Sequence, residues 1–279
     1  MRRLINQHPG RAAGLALGVL PFIALLFVYV IASQLRLAEN AGDKLLPSLG
    51  TIAETFHSYA FEEDRRSGQV LFWADTWASL KRIGAALGIS AMLALVLAVC
   101  IGVIPRARAL LSPLLNTVAM IPPLAVLPIL FIVLGLEETS KIALIVIGVA
   151  PCVARDLALR VAELPREQII KAQTLGASTW QLILRVVLPQ LWPRLIDAMR
   201  LSMGSAWLFL IAAEAIASTQ GLGYRIFLVR RYLAMDVILP YVFWVTAIGY
   251  SFDWLLRQLI LRRLRWYVAA TSRARSPAS

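Results

Sequence analysis

Charge is scarce in this sequence. Of its 279 residues only 16% are Asp, Glu, Lys or Arg, against 59% that are apolar. A soluble domain carries roughly 25% charged residues, so there is too little charge here to cover a water-facing surface. Disorder is excluded by the same balance, because disordered chains are rich in charge and poor in apolar residues. Cysteine is nearly missing. Cys100 and Cys152 stand far apart inside apolar runs, and no disulfide framework or zinc pattern is readable from them. His8 and His57 lie in different segments and no H-E-x-x-H occurs, which leaves no metal constellation. No G-x-x-x-x-G-K-[ST] is present to cradle ATP phosphates. Serine lacks a G-x-S-x-G context, and Met203-Gly204-Ser205-Ala206 does not supply one.

What is abundant is uninterrupted hydrophobic length, with a mean hydropathy of +0.72. Ala12 to Leu35, Ile83 to Ile104 and Ala109 to Leu136 are free of charge, and each exceeds the roughly 20 residues that cross a bilayer. Ile142 to Ala154, Leu201 to Ala213 and Val237 to Phe252 are shorter and end at Arg155, Glu214 and Asp253. They span if those charges snorkel or face the protein interior. The expectation is an all-α integral membrane protein of about six spans, forming one transmembrane domain over 1–279. The net charge of +12 could suggest nucleic acid, but so apolar a chain fits a membrane protein better.

With the N-terminus inside, the segments 1–11, 105–108, 155–194 and 257–279 face the cytoplasm and hold 17 Lys and Arg, against 10 in the outer segments. That bias follows the positive-inside rule and places both termini in the cytoplasm. A cleaved signal is the alternative for the first run, which is longer than the roughly 7–15 apolar residues of a signal core. GxxxG occurs at Gly14/Gly18 and Gly84/Gly88, a weak packing signal.

The first outer loop, 34–82, opens at Leu46-Pro47-Ser48 and continues as an amphipathic stretch through Phe61, with His57 on its surface. The charged tip Glu62 to Gly68 reads as solvated. Val70 to Lys81 reads as an interfacial helix leading into the second span, with Trp73 and Trp77 one turn apart as its anchor. In the third run, Ile121-Pro122-Pro123-Leu124 and Pro128 remove helix hydrogen bonds that lipid cannot replace. Pro122 and Pro123 are therefore expected to break the helix, either as part of a translocation path or as a kink in a packing helix. Glu214 sits deep in the fifth helix, within Leu210 to Ile216. It reads as a path-lining acid or gate latch, or as a structural partner of Lys141 or Arg225.

The segment 155–194 is the longest cytoplasmic piece. Asp156 and Arg160 can pair at i, i+4. Pro165 suits the start of a helix over Arg166 to Leu175, and Gly176 suits its end. Ser178 caps a second helix, Thr179 to Leu188, which Pro189 is expected to stop. Ile169, Ala172, Leu175 and Gly176 form a small apolar stripe. Two helices around a glycine turn, beneath a membrane domain, look built to dock on a partner.

Lys171-Ala172-Gln173-Thr174-Leu175-Gly176-Ala177-Ser178, followed by Val186-Val187-Leu188-Pro189, resembles the "EAA" coupling loop of bacterial ABC-importer permeases. Ser79-Leu80-Lys81-Arg82, Ile121-Pro122-Pro123-Leu124 with Gly135 and Ser140-Lys141, and Ala213-Glu214 through Gly221-Leu222-Gly223-Tyr224 extend the likeness over roughly 45–267, to the nitrate/sulfonate/taurine branch. Where that motif begins Glu-Ala-Ala this chain has Ile170-Lys171-Ala172, and Glu167 one turn earlier is the candidate substitute. The resemblance implies a type I importer permease fold in the bacterial inner membrane and a transport subunit that is not an enzyme. It implies a permease homodimer, a cytoplasmic ATPase pair that carries ATP and Mg, and a periplasmic substrate-binding protein. No cofactor is implied for this chain. Glu167, Lys171, Ala172, Leu175, Gly176, Ala177, Leu188 and Pro189 would make the coupling contact. Gly223 to Tyr241 looks most like permeases found beside urea-carboxylase-type, guanidine-degrading enzymes. A secondary transporter driven by an ion gradient is the alternative, though neither inverted repeats nor intramembrane ion sites are visible.

Overall fold

The computed structural model describes residues 10–40, 42–65 and 67–267. Regular structure among them is helical throughout: α1 (Arg11–Glu39), α2 (Leu49–Phe61), α3 (Leu71–Val103), α4 (Pro105–Val118), α5 (Pro123–Leu134), α6 (Glu138–Ala162), α7 (Arg166–Thr174), α8 (Thr179–Leu182), α9 (Leu188–Ala217), α10 (Leu222–Arg230) and α11 (Met235–Arg263), with a π-turn over Ile183–Val187. Five helical stretches are long and apolar enough to cross a membrane, and six if the bent α4–α5 pair counts as one. This is the all-α architecture of about six spans that the hydrophobic runs predict.

The chain divides into two compact units, residues 1–70 with 229–241, and 71–228 with 242–279. In the first, Tyr29 Oη and Ser33 Oγ of α1 donate to the Pro47 carbonyl, and Ser33 also to Leu46. The predicted opening of the loop is thereby fastened to the first span. Ser48 caps α2 by accepting from Thr51 N. The most apolar window of α1 has no buried residue, so that face is left for lipid.

The second unit is built on α3, α6 and α9. Small side chains let these helices approach closely, as membrane packing requires. Ala86, Ala94, Ala150, Ala154, Ala206 and Ala213 are fully buried. A Cβ on Gly148 would stand 2.3 Å from the Phe209 ring, and one on Gly102 would stand 2.4 Å from Val161. Arg108 of α4 donates to the carbonyls of Ile101 and Gly102, satisfying the C-terminal end of α3.

Two expectations about boundaries change and one holds. Val70 to Lys81 is not a separate interfacial helix, because no proline or glycine interrupts 71–83 and α3 runs unbroken from Leu71. The third run does break, as its prolines predict: α4 and α5 meet at 96°, and Pro123 starts α5, where its missing N–H costs nothing. Pro189 does not stop the second helix of the 155–194 segment. The helix continues from Thr179 to Ala217, 39 residues in all. The π-turn resolves the conflict: Leu188 N bonds five residues back to Ile183 O. This wider turn carries the backbone past the proline that an α-turn would have clashed with.

Candidate functional site

Two features of the second unit stand at opposite ends of that 39-residue helix. The first is the turn that joins α7 to α8. Helix α7 ends in a complete Schellman motif: Gly176 N donates to Gln173 O at 2.9 Å and Ala177 N to Ala172 O at 3.0 Å. Gly176 takes φ +80°, the left-handed conformation that glycine adopts without Cβ strain. Two residues later Ser178 Oγ accepts from Gln181 N while Gln181 Oε1 accepts from Ser178 N, a capping box. The reversal therefore satisfies its own orphan backbone groups and holds its shape without a partner.

The side chains around it face outward. Helix α7 has no buried residue, and Ile170, Leu175 and Trp180 are 56%, 79% and 66% exposed. Ile169 and Ala172 are half-buried. Glu167 and Lys171, though four residues apart, form no ion pair among the described residues, unlike Asp156 with Arg160 at 3.6 Å. Gln190 Nε2 donates to Gln168 Oε1 at 3.0 Å and ties α7 to the start of α9. Glu167, Lys171, Ala172, Leu175, Gly176 and Ala177 thus share one short stretch, while Leu188 and Pro189 lie on the returning helix beside that tie. Gln181, absent from the motif that marks this turn, completes the box, and Ser178-x-x-Gln181 carries that signal in the sequence itself.

At the other end is a cluster of formal charge zero, with Asp75, Glu138 and Glu214 set against Arg82, Lys141 and Arg225; Asp75, Arg82, Lys141 and Glu214 are buried and Glu138 is exposed. Glu214 is 0% exposed. Its carboxylate accepts from Arg82 Nη1 at 2.7 Å, from Ser79 Oγ at 2.8 Å and from Gly223 N at 2.8 Å. Arg82 also grips Glu138 through Nε and Nη2 and donates to Gln220 O. The partner of Glu214 is therefore neither Lys141 nor Arg225. Lys141 reaches Glu138 at 3.4 Å and Arg225 holds Asp75 at 2.8 Å. Arg82, which hydropathy alone places at the end of the outer loop 34–82, is 6% exposed. The signal was present: Asp75, Ser79 and Arg82 recur at i, i+4, i+7 along α3, a polar stripe on one face of an apolar helix.

That stripe also caps α10. Gly221 N donates to Asp75 Oδ1, Leu222 N to Ser79 Oγ and Gly223 N to Glu214 Oε2. Two carboxylates so placed complement the positive end of the helix dipole. The approach demands glycine: a Cβ on Gly223 would lie 2.8 Å from the Ile211 backbone, and one on Gly221 would lie 2.5 Å from the Glu214 carboxyl carbon. Gly223→Ala is expected to cost about 1–3 kcal/mol through overpacking. Gly84→Ala, with nothing within 4 Å of its Cβ, is expected to be neutral or slightly stabilising. Thermal unfolding in detergent, followed by tryptophan fluorescence, compares the two. Pro122 and Pro123 stand at the α4–α5 break, and Pro122 accepts from Ala125 N through its carbonyl.

The model of a family described as binding-protein-dependent transport system inner membrane component matches residues 90–265. The taurine transport system permease protein TauC of Escherichia coli (strain K12) is 34% identical over 195 residues, 70% of this chain and 71% of that one. The bicarbonate transport system permease protein CmpB of Synechococcus elongatus is 30% identical over 196 residues, 68% of this chain and 70% of its own. A putative aliphatic sulfonates transport permease protein, SsuC of Bacillus subtilis (strain 168), is 26% identical and aligns over 94% of this chain and 92% of its own. Among solved structures, an inward-facing form of the MetNI methionine ABC transporter superposes with a TM-score of 0.56 at 20% identity, covering 68% of this chain and 96% of that one. That likeness speaks for the fold.

Proposed function

The chain belongs to the family of binding-protein-dependent transport system inner membrane components, and from that premise we propose that its 155–194 segment is the handle through which an ATPase pair drives import. It is an ABC-importer permease component of the taurine/sulfonate/bicarbonate type. In the proposed complex two copies of the chain form the path, a cytoplasmic ATPase docks on each α7–α8 turn, and a periplasmic binding protein delivers the solute. Both termini and the 155–194 segment face the cytoplasm, and 34–82 faces the periplasm. ATP and Mg belong to the partner, so this chain does no chemistry of its own.

The observation that carries the reading is the outward presentation of Ile170, Leu175 and Trp180 on a reversal that fixes its own backbone. Exposed apolar side chains rimmed by charge mark interaction sites, and Glu167 and Lys171 supply that rim. Transport follows from a two-state membrane domain biased by ATP on one side and loaded binding protein on the other. The stretch from Thr179 to Ala217 is roughly 58 Å of continuous helix. It leads from the docking turn to the Glu214 cluster, so a push on the turn is delivered at the far end of the membrane.

The proposed cargo is a small polar solute, taurine-like, sulfonate-like or bicarbonate-like, with guanidine- or urea-related compounds as the second class. Arg225 is engaged by Asp75 and so is a poor candidate for holding either cargo or binding protein. The test is purification of the permease from its own membranes, followed by uptake in proteoliposomes. A P-loop ATPase is expected to co-purify, and uptake of labelled taurine, bicarbonate or guanidine to require hydrolysable ATP. Uptake driven by a proton or sodium gradient alone would instead identify a secondary transporter.

A further inference from the structure

Where α6, α9 and the stretch after α11 come together, a cleft of about 490 Å³ opens, lined by both acidic and basic side chains. That volume falls in the range of small-molecule sites. Three arginines line it: Arg160, Arg194 and Arg200. Two of them are already engaged. Arg160 pairs with Asp156 and Glu163, and Arg200 with Asp197 and Asp253. Arg194 differs. Among the described residues its guanidinium forms no ion pair and donates to no oxygen; it lies 5.5 Å from the centre of the Tyr267 ring. Tyr267 in turn donates from Oη to Asp197, and burial pushes its hydroxyl above the ordinary tyrosine range. The ring is therefore a neutral platform that orients the guanidinium without cancelling its charge.

An arginine held over an aromatic ring, at a half-buried site with its fork unused, is built for a planar or tetrahedral oxyanion. We propose that this cleft binds a small oxyanion, a carboxylate, sulfonate or phosphate group, with Arg194 as its anchor. The proposal goes beyond the transport reading and does not depend on it. The anion is either a free solute or the headgroup of an anionic lipid, and the two sources share this chemistry.

Cys152 lines the same cleft and is exposed. Since Cys100 is the chain's other cysteine, Cys100→Ala leaves Cys152 as the sole thiol and a reporter of occupancy. The rate of its alkylation by N-ethylmaleimide is measured on purified permease with sulfate, ethanesulfonate or phosphate against chloride at equal ionic strength. A parallel arm uses nanodiscs of phosphatidylcholine with and without phosphatidylglycerol. The expected result is saturable protection. Slowing by dissolved oxyanions assigns a free solute, and slowing confined to phosphatidylglycerol assigns a headgroup. Arg194→Gln is expected to raise the half-protecting concentration at least about tenfold, as loss of charge-assisted hydrogen bonds implies. Arg194→Lys, which keeps the charge but not the fork, should fall between. Equal alkylation rates in every condition, or protection unchanged in both variants, would overturn the proposal.

Discussion

Gly176→Asp is expected to abolish ATP-driven uptake while leaving the permease in the membrane at its normal abundance. The two halves of that result have separate causes. Within the chain the substitution is mild: nothing lies within 4 Å of a Cβ at this position, so the cost is that of a left-handed residue, about 1–2 kcal/mol. Asp tolerates that conformation better than most residues, and insertion should not notice it. At the partner's surface the change is severe. A carboxylate is added beside Leu175, at the apex of the surface that docking must bury, and an unpaired buried charge costs several kcal/mol. Uptake in proteoliposomes should fall at least about a hundredfold, the consequence of about 3 kcal/mol lost from the docked state. Quantitative immunoblotting checks abundance. Gly176→Ala is the control, carrying the backbone cost without the charge and retaining most of the uptake. Full uptake by a well-expressed Gly176→Asp permease would remove the turn from the mechanism.

The second large effect concerns stability. Arg82→Ala is expected to cost about 3–5 kcal/mol, the usual consequence of removing one member of a buried ion pair. Arg82 is the hub of the cluster, and without it Glu214 is left in a fully enclosed position with only Ser79 and Gly223 as donors. Glu138→Ala should be milder, since the Glu138 side chain is 55% exposed and water can enter where it stood, with the enclosed Lys141 accounting for the cost that remains. Arg82→Ala and Glu138→Ala thus test whether the damage tracks enclosure or mere loss of a contact. Thermal unfolding of each variant in detergent decides, and equal losses in the two would count against the hub assignment. Replacing the whole cluster by apolar residues need not destabilise to the same degree, except that α10 would then lose its caps.

The residues that made the fold legible were those whose physics is local. Apolar runs that reach bilayer length announce spans, and Pro122-Pro123 announces the break because a proline's missing N–H has no substitute in lipid. Gly176 and Ser178 declare the α7–α8 reversal through backbone conformation and capping alone. The unread features depend on neighbours remote in sequence. Glu214 finds Arg82, 132 residues away, because α3 and α9 pack together, and the polar stripe on α3 was masked by the greater apolar length around it. Pro189 misled for a related reason. Its local rule forbids an ordinary α-helical turn, yet a helix packed along α6 can retain its course by widening once. The resemblance to importer permeases places the candidate coupling residues on one stretch of sequence, but nothing in a linear motif tells that the last two, Leu188 and Pro189, belong to the returning rod.

That widening has a geometric consequence. A single extra residue in one helical turn advances everything beyond it by about 100° of rotation. The five residues Ile183–Val187 therefore fix the angular phase between the α7–α8 knuckle and the Glu214 cluster. A chain shorter by one residue there would still form a helix and still cross the bilayer, but its knuckle would point a quarter-turn astray.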